Sequence, residues 1–140
     1  MLTRTGVHAV RAMVALAKLP AGAYAGAARV AQEIGAPQNY LGKLLQTLAR
    51  DGLVESQKGL GGGFRLARDP KSITLLDVVE PLEHVSRWAG CILGRPECSD
   101  ADPCAIHARW KAVREAYLHM LRRTTIGELV AKGELETIAL

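Results

Sequence analysis

Four side chains able to bind a soft metal fall within one short stretch, CILGRPECSDADPCAIH, residues 91–107. Its cysteines are spaced Cys91-x6-Cys98-x5-Cys104, and His107 follows after two more residues. These are the chain's only cysteines, three in all. Gly90, Gly94, Pro96 and Pro103 predict a loop between them. Asp102 reads as an N-cap and Pro103 as the first residue of a helix, which places Cys104 and His107 three apart on one face of its first turn. A helix N-terminus favours negative charge and so stabilises thiolates and an anionic metal–sulfur centre. An odd number of cysteines without a signal peptide argues against disulfides. Purely structural cysteines would sit in apolar periodic segments, whereas these lie among Gly, Pro, Asp and Glu. Spacing alone leaves a Cys3His zinc site and an iron–sulfur site equally open.

The rest of the chain must position that stretch. A length of 140 residues suits one compact domain with an appended element, and 49% hydrophobic residues supply a core. No apolar run approaches the roughly 18 residues of a membrane span, and the start MLTRTGVHAVRAM has no cleavage pattern. A cytoplasmic protein is expected, and free cysteines agree with a reducing compartment. The net charge of +4 is uneven: residues 1–70 carry nine Lys/Arg against four Asp/Glu, and residues 71–140 nine against ten. The basic half should face a polyanion.

In residues 3–19, Val7, Val10, Val14 and Ala17, widened by Met13 and Leu16, recur at helical spacing. Arg4, His8 and Arg11 fall off that stripe and are expected to be exposed or to face a partner, with His8 on the surface. Residues 26–34 make a short helix, Gly35-Ala36 a turn, and Pro37 to about Asp51 a third helix with Tyr40, Leu41, Leu44, Leu45 and Leu48 inward. Gln38, Asn39 and Lys43 point away, with Gly42 between them. This is a helix-turn-helix pattern, whose second helix enters the major groove. Leu53–Ser56 and Gly63–Leu66 read as strands around a glycine-rich tip that can hug a phosphodiester backbone, with Lys58 at its base. A nucleotide-binding P-loop is excluded, since no Gly-Lys-Ser/Thr follows. Helix-turn-helix plus glycine-tipped hairpin is a winged helix, with Gln38, Asn39, Tyr40, Lys43, Lys58, Gly61 and Gly62 as candidate DNA contacts.

Thr74 with Asp77 can cap a fourth helix that Pro81 bends or ends. A long helix should then run from Pro103 to about Arg123. Along it Ile106, Trp110, Val113, Tyr117 and Met120 alternate in steps of four and three, with Leu121 beside them, a coiled-coil type of seam suited to pairing two subunits. Thr125 and Glu128 form a capping box for a last short helix.

The run NYLGKLLQTLARDGLVESQKGLGGGFRL, the start LTRTGVHAV, the three cysteines and the ending TTIGELV resemble the family of bacterial iron–sulfur winged-helix regulators that includes IscR and NsrR. The likeness covers roughly residues 2–132. It implies a homodimeric transcription factor, expected to be a repressor, whose cysteines hold an iron–sulfur cluster (2Fe–2S or 4Fe–4S) that tunes affinity for a double-stranded DNA operator. The resemblance favours that cluster over zinc. CAIHARW matches the pattern in which a histidine after the third cysteine is a ligand, so Cys91, Cys98, Cys104 and His107 are the implied metal ligands. In some relatives a first-helix side chain of the partner subunit serves instead, and His8 lies on that helix. Gly42-Lys43 replaces the Glu-Gln pair expected in IscR-like recognition helices, which implies a different operator.

The expected architecture is mainly α with a small β-hairpin wing. Residues 1–84 form the winged helix-turn-helix domain and 85–103 the cysteine loop. Residues 104–132 form the dimerisation helix and short terminal helix, and 133–140 a tail. The alternative is a zinc-stapled or cluster-free winged-helix protein that binds DNA or a protein partner constitutively. No Ser-His-Asp set, paired carboxylates or nucleotide loop supports an enzyme, a small-molecule substrate is not expected, and His84 and His119 stand alone.

Overall fold

A computed structural model of the chain describes residues 2–87 and 91–133. Gly90 and the expected tail from residue 134 onward lie outside the described residues. The architecture is mostly helical with one two-stranded antiparallel hairpin.

Helix α1 (Arg4–Ala17) is the central rod. Thr3 caps it, its hydroxyl accepting from Gly6 N–H at 3.1 Å. Alanine, valine and methionine at Ala9, Val10, Ala12, Met13 and Val14 are short or flexible enough to be enclosed on nearly every side. The helix packs on α2 (Ala27–Ile34), α4 (Leu75–Glu83), α6 (Ile126–Lys132) and the hairpin. That enclosure corrects the single-stripe reading: His8 and Arg11 are buried, not surface residues. Gly6 leaves room for the Glu83 carboxylate to lie against the start of α1, where a Cβ would displace it. Glu83 in turn accepts from Thr3 N–H at 2.8 Å, which fastens α4 to the start of α1.

Gly35, left-handed, ends α2, and α3 (Gln38–Arg50) follows with Pro37 as its N-cap residue rather than its first turn. Leu41, Leu44, Leu45 and Leu48 face the core as their spacing predicts. Each fully buried leucine contributes about 1.5–3 kcal/mol relative to exposure. The hairpin pairs β1 (Val54–Gln57) with β2 (Gly63–Leu66), Val54 opposite Leu66 and Gln57 opposite Gly63. The first strand thus begins one residue later than expected, since Leu53 N–H instead bonds the Leu48 carbonyl at 3.1 Å to close α3. Phe64 exchanges both backbone hydrogen bonds with Ala25, at 2.8 and 2.9 Å, which ties the wing to the segment before α2. Gly63 is obligatory there: its φ is +131°, and a Cβ would lie 2.5 Å from the Ala25 carbonyl.

Thr74 and Asp77 close a capping box on α4, and Pro81 lies inside that helix rather than ending it. Thr125 and Glu128 close a second box on α6. Ile126 of α6 and Leu118 and Leu121 of α5 (His107–Arg123) join the same core as α1. The terminal helices are therefore not a separate layer beyond residue 84.

Helix α5 begins at His107, four residues later than the sequence suggests. Asp102 does not cap it; Ile106 stands at the N-cap, and Asp102 instead accepts from Arg95 through its carbonyl at 3.0 Å and its carboxylate at 3.3 Å. Cys104 consequently stands in a turn ahead of the helix, tied to it by His107 N–H bonding the Cys104 carbonyl at 3.0 Å.

Candidate functional site

Two surfaces carry the side chains singled out by the sequence. The first is the outer face of α3. Gln38, Asn39 and Lys43 are exposed, as are Lys58 and Gly61 at the wing, while Tyr40 and Gly62 are half-buried. An open groove of about 720 Å³ runs along α3, bordered by Asn39, Gly42, Lys43, Gln46 and Arg50, with Phe64 of the wing. Gln46 and Arg50 had not been singled out. Their steps of three and four from Lys43 are the signal that could have found them. Tyr40 is held from behind by the edge of His8, with ring centroids 5.5 Å apart and His8 Nδ1 3.4 Å from the Tyr40 hydroxyl. Burial, then Arg11 and Arg4, hold the His8 pKa below the usual histidine value.

The second surface is the cysteine loop with the start of α5. Cys91 Sγ and Cys104 Sγ lie 3.8 Å apart, and Cys98 Sγ lies 3.2 Å from His107 Nδ1. Two sulfurs about 2.3 Å from one tetrahedral metal would stand about 3.8 Å apart, and such a sulfur with a nitrogen at about 2.0 Å about 3.5 Å apart. Each pair therefore has a spacing that one metal could span, and the donor set of thiols and imidazole suits soft or borderline metals. Among the described residues, no three His, Cys, Asp or Glu side chains converge as a metal group. The four ligands expected from sequence stand as two pairs.

Local contacts hold these pairs. Leu93 N–H donates to Cys91 Sγ at 3.4 Å. That bond leads the influences holding the Cys91 thiol below its usual pKa; Arg95 and Cys104 add to it and burial opposes it. Thiolate is the form that binds metal. His107 is buried and its Nε2 lies 2.7 Å from Asp100 Oδ1. Lys111, one turn along α5, donates to both Asp100 oxygens at 3.0 Å. The bonds from His107 and then Lys111 hold the Asp100 carboxyl below the usual carboxylate range. Sequence reading missed this trio, although Lys111 falls four residues after His107 on one helix face.

Residues 2–132 match the Rrf2 family, described as iron-dependent transcriptional regulators. The chain belongs to the Rrf2 family. It is 32% identical over 134 residues to the HTH-type transcriptional regulator IscR of Klebsiella pneumoniae, covering 96% of this chain and 82% of that one. Among solved structures it resembles CymR, the global cysteine regulator of B. subtilis, with a TM-score of 0.79, 26% identity, and 94% and 97% of the two chains covered. T. potens IscR shares the fold at a TM-score of 0.77 and 24% identity, with 100% of this chain and 93% of that one covered. Rrf2 relatives are transcriptional regulators and not enzymes, so the protein is a regulator of the winged-helix type. No described helix is long and apolar enough to cross a membrane.

Within this Rrf2 chain the expected seam on α5 divides. Leu121 is fully buried in the chain's own core, on the side where α5 packs against α4, and is unavailable to a partner. Ile106, Trp110 and Tyr117 are half-buried, while Val113 and Met120 are 60% and 47% exposed. The exposed part of the stripe is therefore Val113 and Met120, with Tyr117 packed beneath against the core.

Proposed function

We propose that this Rrf2 regulator acts as a homodimer on a double-stranded DNA operator, with its affinity set by a metal–sulfur centre on Cys91, Cys98, Cys104 and His107. The observation that carries the reading is the pairing of donors at the start of α5, Cys91 with Cys104 and Cys98 with His107. When bound, an iron–sulfur cluster would supply a charge and a bonding network that change with iron supply or redox state. Zinc is the alternative occupant, but it would require all four donors to converge on one ion, whereas two pairs suit a centre with more than one metal. The description of the family as iron-dependent and the likeness to IscR support the same choice. His107 is preferred to His8 as the fourth ligand, since His8 is buried against Tyr40 of its own chain.

On DNA, Gln38, Asn39, Tyr40 and Lys43 would meet the major groove, and Lys58, Gly61 and Gly62 of the wing the adjacent backbone. Gln46 and Arg50 would extend that track. The exposed stripe on α5 would pair two copies across a two-fold axis, giving half-sites about one helical turn apart. A chain of packed contacts connects the two surfaces: α5 lies on α4, Glu83 of α4 holds Thr3 of α1, and His8 of α1 backs Tyr40 of α3. Such contiguity supplies a route along which the state of the cysteine loop would bias the reading helix.

The test is a DNA site selected from a random-sequence pool, titrated anaerobically with loaded protein and with the Cys98→Ala variant. A coupling of ordinary size would separate their affinities by about 5–150-fold. Equal affinities would leave the cysteines without a regulatory role.

A further inference from the structure

We propose that Asp100, clamped by Lys111, is a positioning residue that makes His107 coordinate through Nδ1. This rests on His107 being a ligand of the centre and goes beyond it by assigning the ligating atom and the residue that selects it. An imidazole can present only one nitrogen to a metal, and the hydrogen bond made by the other nitrogen decides which. His107 Nε2 lies 2.7 Å from Asp100 Oδ1, a length typical of a charge-assisted bond. An ionised carboxylate can only accept, so Nε2 carries the proton. The lone pair then sits on Nδ1, the nitrogen 3.2 Å from Cys98 Sγ. The two faces of the ring are thus already sorted, acid side toward Asp100 and donor side toward a thiol.

Asp100 could not do this if its side chain wandered, and that side chain is 72% exposed on a loop. Lys111 removes the freedom by bonding both carboxylate oxygens at 3.0 Å. Lys111 and His107 share one face of α5, so the carboxylate bridges two points on the same rigid helix. The ring itself is buried, which limits its own rotation. Asp100 also lies between Cys98 and Cys104 in sequence, so the clamp fastens the middle of the loop to the helix that carries the fourth ligand. The Nε2–H bond to a carboxylate makes the imidazole a stronger donor, and loss of such a partner typically weakens metal binding about 10–100-fold.

The full chain, loaded anaerobically with iron and sulfide, provides the test. With histidine labelled by ¹⁵N at Nδ1, pulsed electron paramagnetic resonance of the reduced centre should show the label strongly coupled. Strong coupling from Nε2 instead would overturn the proposal. Loss of all strong histidine coupling in wild type, or its survival in His107→Ala, would overturn the ligand reading beneath it, a separate outcome. In a second measurement, Asp100→Ala should speed loss of the centre to a chelator about 10–100-fold, with Asp100→Asn falling between it and wild type. The same Asp100→Ala change in a His107→Cys background should have no effect. Equal acceleration in both backgrounds would mean that Asp100 props the loop or contributes bare charge, and the assignment would fall.

Discussion

The reading helix and the cysteine loop are held in place by different means. The outer face of α3 is rigid because its inner face, Leu41, Leu44, Leu45 and Leu48, is locked in the core, so exposed Asn39 and Lys43 inherit their positions from buried neighbours. The loop from Cys91 to Ile106 contributes no residue to that core. It is pinned by a few polar contacts: Arg95 on Asp102, Lys111 on Asp100, and the His107 ring between Asp100 and Cys98. Surface ion pairs of this kind are worth little on their own. A face built on packing suits the constant groove proposed for α3, and a loop held by few contacts suits the response to a bound group proposed for the cysteines.

The largest expected effect is on stability. In protein stripped of metal, Leu45→Ala should lower unfolding free energy by about 2–5 kcal/mol, whereas Cys98→Ala should stay within about 0.5 kcal/mol of wild type. Chemical denaturation measures both. A comparable loss for the cysteine variant would show that the loop is part of the folding core after all. Next in size is Gly63→Ala, which strains a left-handed position against the Ala25 carbonyl and should cost about 1–3 kcal/mol. It should weaken DNA binding and leave metal content unchanged. If metal content fell with it, the two surfaces would not be separable.

The α5 stripe sharpens the same contrast. Val113→Glu with Met120→Glu places charge on side chains exposed in the single chain, so each chain should fold normally yet sediment as a monomer. A dimer of unchanged stability would move the interface elsewhere. The smallest effect is at the wing. Lys58→Ala should weaken specific and non-specific DNA alike and reduce the slope of log affinity against log salt by about one. A change of sequence preference with no change of slope would place Lys58 against bases instead.

What the sequence made legible follows the same division. Helix α3's leucines, the strand pairing around the glycine-rich tip, and the capping boxes Thr74/Asp77 and Thr125/Glu128 are local patterns with local physics, and the structure carries them. Where distant residues intervene, local rules fail. Asp102-Pro103 looks like a helix start, but the helix begins only at His107, and the Asp102 carboxylate pairs with Arg95. His8 and Arg11 look like surface residues because a stripe cannot reveal that helices pack around most of α1. Leu121 looks like part of a seam, but it is enclosed in the chain's own core. The identities and order of the cysteines were plain from sequence. Their pairing was not, since it depends on loop turns and on Asp100, whose role emerges only once His107 faces it.

In the proposed function these thiols and His107 hold an iron–sulfur centre. Purification without oxygen, followed by the visible absorption spectrum and assay of iron, acid-labile sulfide and zinc, tests it most directly. The expected result is a coloured protein with iron and sulfide in equal amounts, both lost in Cys98→Ala. A colourless protein carrying one zinc per chain would contradict it.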